Sequence, residues 1–557
     1  MATPRRSLVG NCRRARMLRD SLFRCDSGNK PRGDYREERD SSSLDLSGGH
    51  LAMMKLLIFC LSVLAVIGVP SQSAFAQSQQ PDILIVLCDD FNPFYTGYAG
   101  DPDVRTPNLD TLARDSGVFS RCYSASAVCM PARTSLITGL YPHNTGCWGN
   151  ASELFVSPRL TSMFGDFKQA GYTNAMIGKT HWFAGSGFKD QFASKKEYFA
   201  GIGIDYFRDI PTTFGSRSGS GLYQDYLRKI GLFQQQANDL SERLRVNQYV
   251  ARPSLLAPEQ TCDSMMTDLA IEYLNAAPKT QPFAMMVGFS NPHSPFDPSG
   301  RYATMYDPIT LTLRPNVRSF KKYGTDYSRF EIRKARAAYL GKITFLDNLL
   351  GRIVEALKKR GTWDNTILVF TADHGMTIGE HGNIAKGQFW EEVSRVPMLM
   401  RIPGLTDGGR KTAALAQLID LYPTLIDAVG ARASPHVRGR SLLPALRDGA
   451  TKTPVRDTAF CEIHHDGSLD YMVRSERYKW FIERGEEHLY DLDSDPYEQT
   501  NLIRSTDHRE VAEEMRDRLR QFLMTEQLNH AQGYVPLVDR VRRNDATTKQ
   551  WTKSVAY

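Results

Sequence analysis

Unbroken apolar runs and helically spaced ones alternate along most of the chain. Residues 82–90, 173–177, 282–289 and 366–370 are short and almost continuously apolar. That is the pattern of strands buried on both faces, as in a parallel sheet with helices on each side. Residues 396–401 read as the last main strand. Between these runs, residues 106–113, 263–277 and 331–360 carry apolar positions at helical spacing, the longest through Tyr339, Ile343, Leu346, Leu350, Ile353 and Leu357. A further helix begins at residues 418–425. Residues 205–260 lack a strand–helix rhythm and are expected to be an insertion lining a cleft. From about residue 455 the texture changes to short strands at 457–463, 471–473, 479–482 and 488–491, the spacing of a small antiparallel sheet. A helix near 508–526 closes the ordered pattern. The expected fold class is α/β: a large domain over 77–450 with a mostly parallel central sheet flanked by helices. A smaller C-terminal antiparallel-sheet domain and tail follow over 451–557.

Chemistry gathers where the apolar runs stop. The first ends in Asp89 and Asp90, the second delivers Lys179 and His181, the third is followed by His293, and the last by Asp373 and His374. In open α/β sheets the reactive groups collect at the carboxyl ends of strands. Aligned side by side, Asp89, Asp90, Asp373 and His374 form a hard-cation site. Three carboxylates favour Ca2+ or Mg2+, with Ca2+ tolerating irregular geometry better, and the His374 nitrogen leaves Mn2+ or Zn2+ open. Lys179 and His181, two apart in an extended segment, are expected on one face; such a pair suits anion binding and general-acid work, though taken alone it more often is ordinary polar loop chemistry. His143 fits either a substrate contact or, as the commoner explanation, a surface-loop histidine.

Residues 129–133 are Cys-Met-Pro-Ala-Arg. Pro131 suits the first turn of a helix, and Leu136, Ile137 and Leu140 continue it. Cys129 therefore sits at a helix N-terminus, where free N–H groups and the helix dipole favour an anion. Arg133 lies one turn on, along the same face. Taken alone, the motif equally fits a buried structural cysteine beside a helix-starting proline.

Composition changes this picture little. Hydrophobic residues make up 41% and charged residues 24%, which fits a soluble globular protein. The net charge of +7 comes mainly from the front: residues 1–76 hold 12 Lys/Arg and 7 Asp/Glu, leaving 57 basic and 55 acidic residues beyond them. A body that close to neutral gives no electrostatic case for nucleic acid or an anionic membrane. Residues 53–76 open with Lys55, continue through an apolar run from 56 to 69 and end Ala74-Phe75-Ala76, the layout of a signal peptide cleaved after Ala76. The expected location is therefore exported, periplasmic or secreted. The apolar run is too short for a comfortable membrane span, so no stable span is expected after cleavage. Residues 1–52 then read as a non-native upstream extension. Six of the nine cysteines lie beyond the front end: Cys88, Cys122, Cys129, Cys147, Cys262 and Cys461. They include no metal-type CxxC pair and imply no small disulfide framework.

The ordered blocks ILIVLCDDF, TPNLDTLA, VCMPARTSLITGLYPHN, GKTHW, NPHSPF, TADHGMTIGEHGNIAKG, RVPMLMRIPG, DLYPTL and HLYDLDSDPYEQTNL together resemble those of the type I sulfatases. The nearest texture is the iduronate-2-sulfatase and choline-sulfatase branch, where the metal block reads Asp-His-Gly. Ala132 stands where the family usually has serine. The resemblance implies an alkaline-phosphatase-like fold and hydrolysis of a sulfate ester, expected on a saccharide. It implies that a formylglycine-generating enzyme converts Cys129 to Cα-formylglycine, whose hydrate is the nucleophile. Asp89, Asp90, Asp373 and His374 would hold one divalent metal, Ca2+ first and Mg2+ or Mn2+ next, which also meets the oxygen made from Cys129. Arg133 would steady the hydrate. Lys179, Lys386, His181 and His293 would grip sulfate oxygens, with His293 favoured to protonate the leaving alcohol. The rival readings are a phosphonate monoester or phosphodiester hydrolase of the same superfamily, and a catalytically silent carbohydrate-binding relative.

Overall fold

The computed structural model describes residues 80–150, 160–182, 195–210, 215, 219, 221–448, 454–465 and 468–528. The upstream extension and the signal segment of the sequence reading lie outside these residues. No described helix is long and apolar enough to cross a membrane.

The continuously apolar runs form strands β1 (Asp82–Asp89), β3 (Thr173–Gly178), β5 (Phe283–Pro292) and β8 (Thr366–Ala372). Every residue of β1, β5 and β8 is buried, as a strand covered on both faces must be. Five more strands complete a nine-stranded sheet: β2 (Gly117–Tyr123), β4 (Tyr206–Asp209), β11 (Arg395–Val396), β12 (Met398–Arg401) and β13 (Arg410–Gln417), while β9 (Thr377–Ile378) and β10 (Ile384–Ala385) pair separately just before Lys386. The order is β11-β2-β12-β8-β1-β5-β3-β4, with β13 pairing β2. The contiguous block β8-β1-β5-β3-β4 is parallel, whereas β12 runs antiparallel between β8 and β2. The four strands that end in acids, histidine or lysine are therefore neighbours, and their carboxyl ends lie along one edge of the sheet.

Two strands are not legible in the apolar pattern, for a physical reason. β2 carries Ser120 and Arg121 in its middle, and β13 opens on exposed Arg410 and Lys411. Strands toward the end of a sheet can face water, so their apolar run is broken. The stretch 205–260 also differs from expectation. Beyond β4 it folds into helices Leu222–Lys229 and Phe233–Val246, which bury only narrow stripes (Tyr223 and Leu227, then Ala237 and Leu240) beneath a polar surface.

The long helix spans Arg329–Arg360 and buries all six of its expected apolar positions. Ser328 caps its start by accepting from Glu331 N–H, and Gly361 ends it in the left-handed region. At the C-terminal side, β14 (Ala459–His465), β15 (Ser468–Arg474), β16 (Tyr478–Glu483) and β17 (Glu486–Asp491) form the expected antiparallel sheet, followed by the helix Arg509–Leu528. Cys461, Ile463, Met472 and Phe481 of this sheet pack with Tyr123, Ala127, Val128, Phe389 and Val393. The small sheet thus supports the segment that leads into Cys129 and the segment that follows Lys386.

Candidate active site

β1 delivers both of its carboxylates to one place because its end is irregular. Its pairing with β5 shifts register after Leu87, and Asp90 takes φ +59°, a left-handed value uncommon for a residue with a Cβ. Normal strand alternation would send Asp89 and Asp90 to opposite faces. Asp373, just past β8, accepts Asp90 N–H at 3.2 Å and His374 N–H at 2.8 Å through one oxygen. Tyr339 of the long helix donates its hydroxyl to the Asp90 carbonyl and accepts Asn92 N–H at 2.9 Å. The sequence reading placed Tyr339 in the helix core only, since nothing in its spacing separates a packed tyrosine from a positioning one.

Cys129 is the first residue of the helix Cys129–Thr138, which follows extended Val128 and ends at left-handed Gly139. Its thiol lies 3.5 Å from Asp89 Oδ1, 3.2 Å from His374 Nε2 and 2.8 Å from Lys386 Nζ. Arg133, on the next turn, donates Nε to Asp373 Oδ2 at 2.7 Å and Nη1 to the Lys179 carbonyl at 2.9 Å. Its Nη2 lies 3.8 Å from Asp89 Oδ1 and is buried without a hydrogen bond. A buried guanidinium donor left over in this way suits an oxygen acceptor at the cysteine position.

The cations and histidines close the pocket. Lys179 pairs with Asp89, and Lys386 Nζ lies 2.9 Å from Asp90 Oδ1. His293 Nε2 lies 3.6 Å from Asp90 Oδ2, while its Nδ1 donates to the Ser294 carbonyl at 2.6 Å, which turns Nε2 into the site. His374 is oriented in the same way: Nδ1 meets the Gly375 carbonyl at 2.9 Å and Nε2 faces the thiol. His181 departs from the expected extended geometry, since its φ is +52°. The chain turns there, so it is this turn and not strand alternation that brings the ring within the field of Lys179 and Arg133. Its Nδ1 is buried without a hydrogen bond.

Charge balance is tight. Burial raises the Asp89 pKa, but Lys179, His293, Arg133 and Lys386 outweigh it and hold the carboxyl well below its usual range. Asp90 is lowered too, with burial opposed by His293, Lys386 and His374. Burial pulls His374 down, yet Asp373, Cys129 and Asp90 push it up to about 9. Burial lowers His293 and takes His181 well below its ordinary value. The pocket therefore keeps ionised carboxylates beside histidines of opposite tendencies.

The donor set fits a divalent cation. Asp89, Asp90, Cys129 and His374 each place one ligand atom within 4.8 Å of the others, and all four are buried. Asp373 stands at their edge, its Oδ1 3.8 Å from His374 Nε2 and its other oxygen taken by Arg133. Two carboxylates among these four, with the Asp373 carboxylate at the edge, suit a hard cation. A second cluster of His381, Glu392 and Glu498 is instead an ion-pair network with Arg314, Asn316 and Lys479. His143 is no surface histidine. Its Nδ1 lies 2.6 Å from buried Glu462 and its ring stacks on Tyr141, joining the main body to β14.

Known proteins give the family and the fold. Residues 81–431 match the sulfatase family model, and residues 379–525 match the C-terminal model of N-sulphoglucosamine sulphohydrolase. An arylsulfatase of Clostridium perfringens is 28% identical over 483 residues, covering 82% of this chain and 96% of that protein. The crystal structure of the phosphonate monoester hydrolase of Agrobacterium radiobacter superposes with a TM-score of 0.68 at 23% identity, over 83% of this chain and 100% of that one. A structure solved in complex with its substrate D-glucosamine-2-N,6-O-disulfate gives 0.63 at 20% identity, over 81% and 99%. At these identities the two structures establish the fold. The family match spans the strand ends, the Cys129 helix and the Lys386 loop alike, and the chain belongs to the sulfatase family, the sulfuric ester hydrolases of the alkaline-phosphatase superfamily.

Proposed function

We propose that this chain is an exported sulfatase that hydrolyses a sulfate ester on a saccharide. It would use Cα-formylglycine made from Cys129 and one divalent metal, Ca2+ before Mg2+ or Mn2+, held by Asp89, Asp90, Asp373 and His374. The observation that carries this reading is the position of Cys129: a helix N-terminus with Lys386, His374 and Asp89 all within 3.5 Å of its sulfur. The aldehyde hydrate supplies an oxygen nucleophile at that position, and the cation when bound supplies positive charge against the developing negative charge on sulfate. Arg133 Nη2 is the donor that would steady the hydrate. Lys179 and Lys386 screen the incoming anion, which otherwise repels an oxygen nucleophile. His293, whose Nε2 faces the site, would give the leaving alcohol a proton from that nitrogen once the ring is protonated, and His181 would hold a sulfate oxygen. Cys129 is 1% exposed, so the formylglycine-generating enzyme would have to act before this helix packs. The signal segment at 53–76 supports export to the compartment where polysaccharide substrates lie.

The test is a paired measurement on protein from its native cells: the mass of the tryptic peptide 122–133, and kcat/KM for an aryl sulfate against an aryl phosphonate. The expected outcome is an aldehyde at 129 with Cys122 unchanged, and faster turnover of the sulfate. An unmodified thiol sinks the hydrate mechanism. Preference for the phosphonate favours the phosphonate monoester hydrolase reading, to which the Agrobacterium radiobacter likeness in fold lends support. Binding of a sulfated sugar by fully converted protein with no turnover favours the silent relative.

A further inference from the structure

A hairpin joins the loops that bear His293 and Lys386, and the Tyr249 it stacks on lies within the field of Lys386 and Asp90. Its strands are β6 (Phe320–Lys322) and β7 (Thr325–Tyr327). On one side Lys322 Nζ donates to Asn383 Oδ1 at 2.7 Å, three residues before Lys386, and Arg318 N–H donates to the Gly379 carbonyl at 3.1 Å. On the other side Tyr323 stacks on Tyr249 at 5.6 Å, and Tyr249 packs edge-on against Phe296 at 5.7 Å, three residues after His293. Asn247 Nδ2 ties the hairpin down through Thr325 Oγ1 and the Tyr327 hydroxyl, both at 2.8 Å.

The turn itself is unusual. Tyr323 and Gly324 have φ of +50° and +72°, the two left-handed residues of a type I′ turn, which favours Asn-Gly. A tyrosine held there is strained, and its ring is left 37% exposed and stacked on Tyr249. Lys322 Nζ sits 4.9 Å from the Tyr323 ring centre. No carboxylate among the described residues pairs with this half-buried amine, whose one polar partner is the Asn383 amide oxygen. Burial alone brings its pKa down to about 8. A partly desolvated cation without a counter-ion is costly unless an anion arrives to meet it, and the flat ring beside it suits the apolar face of a sugar.

We propose that Lys322 and the Tyr323–Tyr249 stack form an outer subsite for an anionic group, a carboxylate or a sulfate, on the sugar next to the one carrying the scissile ester. The enzyme is then built for polyanionic saccharides. This inference rests on the sulfatase reading, and its test needs no turnover. Full-length, metal-loaded protein carrying Cys129→Ala is titrated calorimetrically with three disaccharides: 6-O-sulfo-glucosamine joined to glucose, to glucuronic acid, or to glucose 2-O-sulfate. Charge-assisted pairing predicts that at least one charged disaccharide binds about tenfold tighter than the neutral one, and whichever leads identifies the anion. Adding Lys322→Met should bring all three affinities together, whereas Lys322→Arg should keep the preference. Equal binding of the three probes, or a preference that survives Lys322→Met, overturns the proposal. Failure of the sulfatase reading would show separately, as absence of sulfate release from any probe by protein retaining Cys129.

Discussion

At the residue scale Arg133 does most to hold the site in one arrangement. A single guanidinium grips Asp373, caps the Lys179 carbonyl and faces Asp89, so it links three strand ends that are far apart in sequence. Both Arg133 and its carboxylate partners are fully buried. Removing one side of such a pair leaves an uncompensated charge, and Arg133→Met should destabilise folding by about 3–5 kcal/mol. Arg133→Lys keeps the charge but not the fork, and should recover stability without recovering full activity. Urea denaturation with parallel rate measurements checks this, and equal stability of wild type and Arg133→Met would refute the linking role. The sequence made Arg133 a candidate through its place one turn after Cys129. It could not show that Asp373, 240 residues on, takes Nε. His181 teaches the opposite lesson: its residue type pointed to the site, yet the strand alternation used to place it does not hold, because the chain turns left-handed there.

At the element scale the decisive contact is between β3 and β5, which set Lys179 and His293 side by side. Lys179 N–H donates to the Gly288 carbonyl at 2.7 Å, and a Cβ at Gly288 would come 2.3 Å from the Lys179 carbonyl. Backbone cannot yield as a flexible side chain would. Gly288→Ala should therefore spread the two strands, cost roughly 1–3 kcal/mol, and lower kcat through misplacement of Lys179. Thermal melts and steady-state kinetics read both effects, and a variant with unchanged kcat would remove Gly288 from the argument. The four strands were legible because continuous burial writes itself as continuous apolarity, and the helix at Cys129 through Pro131 and the helical spacing of Leu136 and Ile137. The Leu222–Lys229 and Phe233–Val246 helices were not, since each buries a stripe too narrow to stand out among Gln, Asn, Arg and Glu.

At the scale of the whole molecule, the small sheet is fastened to the main body by buried charge beside the Lys386 loop. Lys479 of β16 lies 3.1 Å from Glu391 and 2.9 Å from Glu498, and Glu392 meets Arg314, Asn316 and His381 next door. Burial raises the Glu392 pKa, but His381, Arg314 and Asn316 overcome it and bring the value down from the ordinary 4.5 to about 2. Between those values the unfolded chain takes up a proton that the folded chain does not, so acid favours unfolding across that window. The contribution of Glu392 is present above pH 4.5 and lost as pH falls toward about 2. Glu392→Gln should flatten the fall of melting temperature over the same range. Parallel slopes for wild type and variant would count against this pairing.

The sequence by itself determined the α/β class, the four inner strands, the C-terminal sheet and the residue types waiting at the strand ends, because burial and backbone geometry act locally on composition and spacing. The order of the strands, the ion pairs that join Asp89 to Lys179 and Asp373 to Arg133, and the meeting of Lys386 with Cys129 were decided only by the tertiary structure. So were the Tyr339 support beneath Asp90 and the Lys322 hairpin bonded to the loop before Lys386. Each of these joins residues far apart along the chain, and no local pattern carries the distance between them.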